Sequence, residues 1–221
     1  MNQELIHSPP LMAHHLIEGL NRYDDRPCLY LGDKVATYKD VRENTSQLVQ
    51  ALRAKGLKEG SKVAFISGNR PEVLSNIAAM QVAGCIGTPL HPMGSLEDHA
   101  YVLADAGIEA LVFDPTLFEQ RAQELFDKVD SLKQLLSFGP SEIGEDYLAL
   151  AQTFEPQPLT PPNVLPSDTS SINYTGGTTG KPKGVMSSYA GSSYLTHVQM
   201  TEWEFPEELR MLIATPLSHA A

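Results

Sequence analysis

The residues with the clearest chemical potential form a stretch rich in glycine, threonine and lysine between Asn173 and Val185. The stretch contains four glycines, three threonines and two lysines. Glycines let backbone N–H groups approach anionic oxygens because no Cβ intervenes, threonine hydroxyls donate further hydrogen bonds, and lysines supply positive charge. This combination of residue types is suited to binding a polyphosphate.

The charge of this stretch is opposite in sign to that of the whole chain, whose formal net charge is −11. The nearest acidic residues are Asp168 and Glu202, and the only full charges among the 33 residues between them are Lys181 and Lys183. A flexible glycine-rich connector with solvated lysines is the simpler alternative. The β-branched threonines, the Lys-Pro-Lys sequence and the strand-like flanks favour an anion-binding loop instead.

The spacing of the glycines and lysines excludes the phosphate loop of P-loop NTPases. The pattern G-x-x-x-x-G-K-[ST] with its lysine at Lys181 requires glycine at position 175 and a hydroxyl residue at 182. The chain has Thr175 and Pro182 there. Proline supplies neither a Mg²⁺-binding hydroxyl nor a backbone N–H, so the sequence predicts a phosphate loop of another kind.

Composition restricts the class of protein and its partners. A length of 221 residues allows one large domain or two small ones. The acidic balance argues against nucleic acid or an anionic membrane as the main partner. No apolar run is long enough to span a membrane, and the first twenty residues lack the pattern of a secretory signal. Only Cys28 and Cys85 are present, which favours reduced thiols and a cytoplasmic location.

Three histidines near the start of the chain, His7, His14 and His15, raise the possibility of a metal site. Adjacent residues on a helix diverge by about 100°, so His14 and His15 make a poor pair of ligands. We interpret all three as surface histidines and predict no metal site from them.

Hydrophobic periodicity and turn residues predict alternating helices and strands along the first two thirds of the chain. In order, we expect a short helix within 1–20, a hairpin of 28–31 and 35–38, a helix from Asp40 to Gly56, a strand at 63–67, a helix from an Asn69 N-cap to Gly84, a strand at 85–90, a helix from Ser95 to Gly107, a strand at 108–113, a helix at 117–129 and a strand at 135–138. This alternation predicts an α/β fold with a mainly parallel sheet covered by helices on both faces.

The distribution of prolines suggests a division of the chain. Five of the sixteen prolines fall between positions 156 and 166, which is typical of a stiff connector. We therefore predict an α/β subdomain over 1–154, a proline-rich connector over 155–168, and a phosphate-loop segment over 169–221 that begins the next part of the large domain.

The stretch from Tyr174 to Gly184 resembles the signature of adenylate-forming (AMP-binding) enzymes, including the acyl-CoA synthetases, which reads roughly Tyr-Thr-Ser-Gly-Thr-Thr-Gly-x-Pro-Lys-Gly. Gly176 stands where serine is more usual. The segments 37–41, 81–92 and 211–221 resemble further motifs of the superfamily in the same order. Tyr189 replaces a histidine that is usual at the start of the helix after the loop.

The resemblance implies the N-terminal portion of the acyl-CoA synthetase-like large domain and a ligase reaction in two steps. A carboxylic acid would attack ATP to give an acyl-adenylate and pyrophosphate, and CoA would then displace AMP; Mg²⁺ would serve as cofactor. Amino-acid-activating relatives place an aspartate near the fourth motif to pair with the substrate ammonium. Residues 215–221 contain no acid, so the resemblance favours a fatty or aryl acid without an α-amino group.

The resemblance also implies which residues bind which ligand. The nucleotide phosphates would be held by Thr175, Gly176, Gly177, Thr178, Thr179, Gly180, Lys181 and Lys183. Lys181 occupies a variable position of the motif and could instead face solvent. His219 would line or gate the acyl pocket, or could be a core histidine with satisfied ring nitrogens. No residue of the chain is assigned a certain catalytic role, and none is assigned to a metal.

Members of the superfamily are more than twice as long as this chain. The glutamate that helps to hold Mg²⁺ and the lysine of the mobile C-terminal domain lie, by this resemblance, after position 221. We therefore expect an N-terminal part of a ligase that is inactive by itself. The alternative is a non-catalytic nucleotide- or phosphate-binding module of the same fold.

Overall fold

The computed structural model describes residues 10–175, 181–206 and 208–217. Its elements, in chain order, are α1 (Met12–Tyr23), β1 (Pro27–Leu31), β2 (Lys34–Thr37), α2 (Tyr38–Ala54), β3 (Lys62–Ile66), α3 (Pro71–Ala83), β4 (Ile86–Pro89), α4 (Leu96–Ala106), β5 (Ala110–Phe113), α5 (Pro115–Lys128), β6 (Gln134–Ser137), β7 (Glu145–Asp146), α6 (Tyr147–Gln152), β8 (Thr169–Thr175), β9 (Lys183–Ser188) and α7 (Tyr189–Glu202).

A seven-stranded sheet with the order β7-β6-β5-β3-β4-β8-β9 forms the centre of the described structure. All neighbouring strands run parallel except the last pair, in which β9 returns antiparallel to β8. The separate β1–β2 hairpin has the predicted position. The prediction of a mainly parallel α/β sheet is confirmed.

Alternation along β3 shows how the two faces of the sheet are covered. Val63 and Phe65 belong to a core shared with α1, α2, α3 and α6, whereas Ala64 and Ile66 belong to a core shared with α4 and α5. All four side chains are almost completely buried. Successive side chains of a strand point to opposite faces, so a short apolar run supplies both cores and helices cover both faces, as predicted.

Local side-chain chemistry explains where several helices begin and end. Ser95 and Asp98 cap α4 reciprocally, with the Asp98 N–H donating to Ser95 Oγ at 3.0 Å. At the end of α2, Gly56 has φ of 78° and the Leu57 N–H donates to the Leu52 carbonyl at 2.9 Å. This is the predicted αL ending with a buried hydrophobic residue after it.

Two predicted helix starts were wrong. The helix α2 begins at Tyr38 and not at Asp40, because Thr37 is its N-cap and accepts the Asp40 N–H. The N-cap of α3 is Arg70, which makes no side-chain capping bond, and not Asn69. The Asn69 amide instead binds backbone groups of residues 215 and 217.

The short elements β7 and α6 were not predicted. They bring Tyr147 into the core, where its hydroxyl donates to the Leu48 carbonyl at 3.1 Å. Residues 155–168 contain no helix or strand. The sheet continues beyond this segment, because β8 pairs with β4, and the division into 1–154, 155–168 and 169–221 stays a prediction. Within the described ranges, no helix is both long and apolar enough to cross a membrane.

Candidate phosphate-binding site

The carboxyl ends of the parallel strands lie at one edge of the sheet. This edge is formed by Ile66 of β3, Pro89 of β4, Phe113 of β5 and Thr175 of β8, since each strand is parallel to its neighbour in this series. The connection between β8 and β9 therefore leaves the sheet at the same edge as the loops after β3 and β4.

The strand order changes direction at β3, which is separated from β8 by β4. After β3 the chain adds β4 on one side, and after β4 it adds β5 on the other side of β3. In open α/β sheets, the crevice outside the carboxyl ends of the strands at such a reversal is the usual ligand site. The glycine- and lysine-rich loop thus leaves the carboxyl edge that contains this crevice, from the second strand to one side of β3.

Three of the predicted phosphate-binding residues belong to the described structure. Thr175 ends β8 and pairs across the hairpin with Lys183, which begins β9. Lys181 precedes β9 and is exposed, as is Lys183. Gly176, Gly177, Thr178, Thr179 and Gly180 lie outside the described residues, and so does His219. The two lysines and Thr175 therefore mark the two sides of the loop.

The two lysines differ in their surroundings. The Nζ atom of Lys181 lies 4.9 Å from the centroid of the Tyr101 ring, on α4. Among the described residues, no carboxylate forms an ion pair with Lys181 or Lys183. Lys181 is therefore not simply solvated, and both positive charges are available to an anion.

Tyr174 ties the hairpin to α4. A Cβ at Gly184, its cross-strand partner, would lie 3.0 Å from Cζ of the Tyr174 ring, so a larger residue there would require the ring to shift. The Tyr174 hydroxyl donates to Oδ2 of Asp105 at 2.6 Å. Burial raises the pKa of Tyr174 and the Asp105 carboxylate raises it further. The tyrosine is therefore a stable hydrogen-bond donor at neutral pH.

Sequence reasoning missed Asp105, which lies near the C-terminus of α4. A carboxylate is unfavourable at that end of a helix because of the helix dipole. That unusual placement was the available signal that Asp105 has a partner elsewhere in the fold.

Asn69 connects the β3–α3 loop to the segment that resembles the fourth motif. Its Nδ2 donates to the Thr215 carbonyl, and its Oδ1 accepts the Leu217 N–H, both at 2.8 Å. Leu217 also packs against the core shared with α3. These contacts hold residues 215–217 at the carboxyl edge of β3, so the two segments singled out in the sequence are at the same edge of the sheet.

Arg70 is a cation at this edge that the sequence did not single out. Its Nε donates to Glu72 at 2.9 Å, its Nη1 lies 3.5 Å from Asp114 Oδ1, and its guanidinium covers the Phe138 ring. Partial burial acts to raise the pKa of Glu72, but the Arg70 hydrogen bond and charge outweigh it and the pKa is lowered. Arg70 is thus engaged in joining three loops of the edge.

His99 stabilises the loop between β4 and α4. Its ring is 2 % exposed, Nε2 lies 2.8 Å from the His91 carbonyl, and Nδ1 lies 3.0 Å from Nη1 of Arg121. Since arginine can only donate, Nδ1 accepts and Nε2–H donates to His91. Burial lowers the pKa of His99; the bond to His91 opposes this, and the Arg121 charge lowers the pKa further. The histidine is therefore neutral and structural.

Tyr189, at the position where the superfamily usually has histidine, lies away from this site. It follows β9, whose last residue Ser188 pairs with Thr169 at the beginning of β8. A seven-residue strand spans about 20 Å, so α7 begins at the edge opposite the loop. The Tyr189 ring is buried there, and its hydroxyl has no hydrogen-bond partner among the described residues.

The described part of the chain contains no group of three or more His, Cys, Asp or Glu side chains that could hold a metal ion. His14 Nδ1 accepts the Leu11 N–H at 3.0 Å, and the His15 ring contacts that of His197 on α7. Both cysteines are free thiols.

Comparison with known sequences gives a consistent result over nearly the whole chain. The family model described as AMP-binding enzyme matches residues 17–221. The medium/long-chain-fatty-acid–CoA ligase FadD8 of Mycobacterium tuberculosis is 44% identical, over 98% of this chain and 39% of that protein. Feruloyl-CoA synthase of an Amycolatopsis species is 27% identical, over 86% of this chain and 36% of that protein. The chain thus spans less than half the length of these relatives.

Solved structures show the same fold. The amide bond synthetase McbA of Marinactinospora thermotolerans aligns with a TM-score of 0.81 at 27% identity, covering 96% of this chain and 41% of that one. The resemblance seen in the loop, the carboxyl-edge position of that loop and the match over residues 17–221 lead to one conclusion. The chain belongs to the AMP-binding enzyme family.

Proposed function

We propose that this chain forms the N-terminal part of an ATP-dependent acyl-CoA synthetase. The observation that carries the proposal is the position of the loop. It leaves β8 at the carboxyl edge of the sheet in which the strand order reverses, with Lys181 and Lys183 on its outgoing side and no carboxylate paired with either lysine in the described structure. The likeness to FadD8 supports the choice of an acid–thiol ligase over a non-catalytic module.

In this proposal the loop binds the β- and γ-phosphates of ATP while a carboxylate attacks the α-phosphorus. Pyrophosphate leaves with several negative charges, so the protein must supply donors and positive charge that are already in place. Thr175, Lys181 and Lys183 would supply part of this set, and residues 176–180 the backbone donors. Removing one such donor typically costs ~3 kcal/mol in the transition state.

The acid substrate would be a fatty or aryl acid without an α-amino group. Thr215 and Leu217, fixed by Asn69, belong to the segment expected to approach the acyl group, and none of residues 215–221 is acidic. A buried substrate ammonium would lack a counter-charge there. His219, two residues beyond Leu217, would line the acyl pocket. The names of FadD8 and feruloyl-CoA synthase are consistent with these two classes of acid.

Mg²⁺ would be the cofactor, supplying charge neutralisation at the phosphates. By the resemblance, the glutamate that helps to hold it would lie after position 221. CoA would be the thiol acceptor. We also propose a cytoplasmic location, which the two free cysteines support.

The experiment that tests the proposal measures acid-dependent exchange of labelled pyrophosphate into ATP by the complete protein. The panel should contain medium- and long-chain fatty acids, ferulate and an amino acid, each with and without CoA. We expect exchange with a fatty or aryl acid and thioester formation only with CoA. Tight ATP binding without exchange on any acid would favour the non-catalytic module, and exchange with the amino acid alone would contradict the assigned substrate class.

A further inference from the structure

Lys181 contacts the face of an aromatic ring on another element of the fold. Its Nζ lies 4.9 Å from the centroid of Tyr101, which lies on α4, 80 positions earlier in the chain. An ammonium at this distance over a ring face is attracted by the ring quadrupole. The contact restricts the Lys181 side chain, whose flexible four-carbon stem otherwise samples many rotamers.

The Tyr101 ring is itself fixed by a second contact from the loop hairpin. It packs edge-to-face on Tyr174, with ring centroids 6.5 Å apart and an interplanar angle of 87°. Tyr174 in turn donates to Asp105, which is one helical turn after Tyr101 on the same face of α4. Both tyrosines pack against the core between the sheet and α4.

These contacts attach both sides of the loop to α4. Tyr174 immediately precedes Thr175 at the end of β8, and Lys181 is two residues before β9 begins. The helix, itself capped by Ser95 and Asp98, therefore acts as a fixed support for the two sides of residues 176–180. We call Tyr101, Tyr174 and Asp105 the α4 support.

We propose that Tyr101 is a positioning residue for anion binding, which holds the Lys181 ammonium at the loop while leaving its outward N–H groups free for phosphate oxygens. The inference rests on the proposed function, because it assigns to Lys181 the phosphates of ATP and of released pyrophosphate. An ammonium has three donors, so the ring face and an anion can be contacted at the same time. The proposal selects phosphate binding over the solvent-facing position, the two roles that the sequence left open for Lys181.

The test compares the dissociation constants of pyrophosphate and of MgATP for the complete protein and its variants. Tyr101→Phe keeps the ring face, and Tyr101→Leu removes it. We expect Tyr101→Leu to weaken pyrophosphate binding about two- to fivefold and Tyr101→Phe to leave it unchanged within error. In a Lys181→Met background, Tyr101→Leu should have no further effect, because the two residues act through one contact.

The outcomes separate this inference from the proposed function. If wild type binds neither ligand, both fail. If Lys183→Ala weakens binding but Tyr101→Leu does not, or if Tyr101→Leu weakens it equally in the Lys181→Met background, only the inference is wrong. Tighter binding by Tyr101→Leu would also overturn it, since the ring would then be withholding the lysine from the anion.

A measurement without ligand keeps the test independent of the stability of the variants. The ε-methylene protons of Lys181 should have NMR shifts moved upfield by the Tyr101 ring current in wild type and in Tyr101→Phe. An unshifted Lys181 in wild type would show that the contact is absent in solution and would contradict the inference.

Discussion

Asn69 holds Leu217 by a hydrogen bond in which Oδ1 of the amide accepts the leucine N–H at 2.8 Å, while its Nδ2 donates to the carbonyl of Thr215. The amide thus satisfies one acceptor and one donor of an otherwise irregular segment. Because Asn69 lies three residues after the end of β3, this pair of bonds sets the position of residues 215–217 relative to the carboxyl edge. It joins the β3–α3 loop to the segment that resembles the fourth motif.

Asn69→Ala should release the segment around Leu217. Each of the two hydrogen bonds contributes about 1 kcal/mol, so the Leu217 amide should exchange its hydrogen roughly tenfold faster or more. Native-state hydrogen exchange measures this, with Asn21→Ala on the exposed side of α1 as control. Equal exchange of the Leu217 amide in wild type and Asn69→Ala would contradict the assigned role.

Gly184→Ala should destabilise the hairpin that carries the loop. The new Cβ would lie 3.0 Å from both Ile172 Cγ2 and Tyr174 Cζ, and overpacking of this kind costs about 1–3 kcal/mol. Gly19→Ala is a matched control, because nothing lies within 4 Å of its Cβ position and it lies within α1. In urea unfolding, Gly184→Ala should lower the free energy of unfolding, and Gly19→Ala should raise it by about 1 kcal/mol. A neutral Gly184→Ala would count against close packing here.

Local chemistry predicted much of this fold, because its signals lie within a few residues of one another. The Ser95–Asp98 cap, the αL ending at Gly56 and the alternation of apolar strands with helices all belong to this class. Contacts between distant residues were not predictable. Asparagine is a residue type common at N-caps, but the hydrogen bond of Asn69 to Thr215 spans 146 positions. The Tyr174–Asp105 hydrogen bond joins residues 69 positions apart.

The two-residue strand β7 shows the same limit. Its two residues carry no periodicity, and the strand exists because Glu145 and Asp146 pair with β6. At the candidate site, the loop and its lysines were recognisable from residue types. The α4 support that Lys181 contacts was not recognisable, because Tyr101 has the ordinary properties of a helix residue that faces a core.

Acidification should destabilise the protein through His99. Burial holds its pKa below the ordinary value of 6.5, so the unfolded chain binds a proton that the folded chain does not. The stabilising contribution of neutral His99 is therefore fully present above about pH 6.5 and is lost as the pH falls from there towards the folded-state pKa. The loss in the free energy of unfolding is ~1.4 kcal/mol for each pH unit that separates the unfolded-state pKa from the folded-state pKa.

Unfolding in urea at pH 7.5 and 5.5 measures this loss. His99→Gln should reduce the difference in the free energy of unfolding between the two pH values. Carboxylates with a lowered pKa, such as Glu72, change the free energy of unfolding at more acidic pH. An unchanged pH dependence in His99→Gln would show that His99 is not its source.

The two thiols should differ in reactivity. Burial raises the pKa of Cys85 to about 12, and nearby Glu109 and Glu59 add to this. Burial also raises the pKa of the half-buried Cys28, although a hydrogen bond with Tyr38 opposes it. A disulfide reagent at pH 8 should modify Cys28 slowly and leave Cys85 unmodified until the protein unfolds. Modification of Cys85 at the rate of Cys28 in the folded protein would contradict the described burial.

The affinity of the complete protein for MgATP, with and without the Lys183 side chain, tests the central claim most directly. Lys183→Ala removes a charge beside Thr175 that has no ion-pair partner among the described residues, and Lys39→Ala removes an exposed lysine of α2 as the matched control. We predict that Lys183→Ala weakens binding of MgATP or pyrophosphate at least tenfold and that Lys39→Ala has no effect. Equal affinity in wild type and Lys183→Ala would contradict the assignment of this loop to the phosphates.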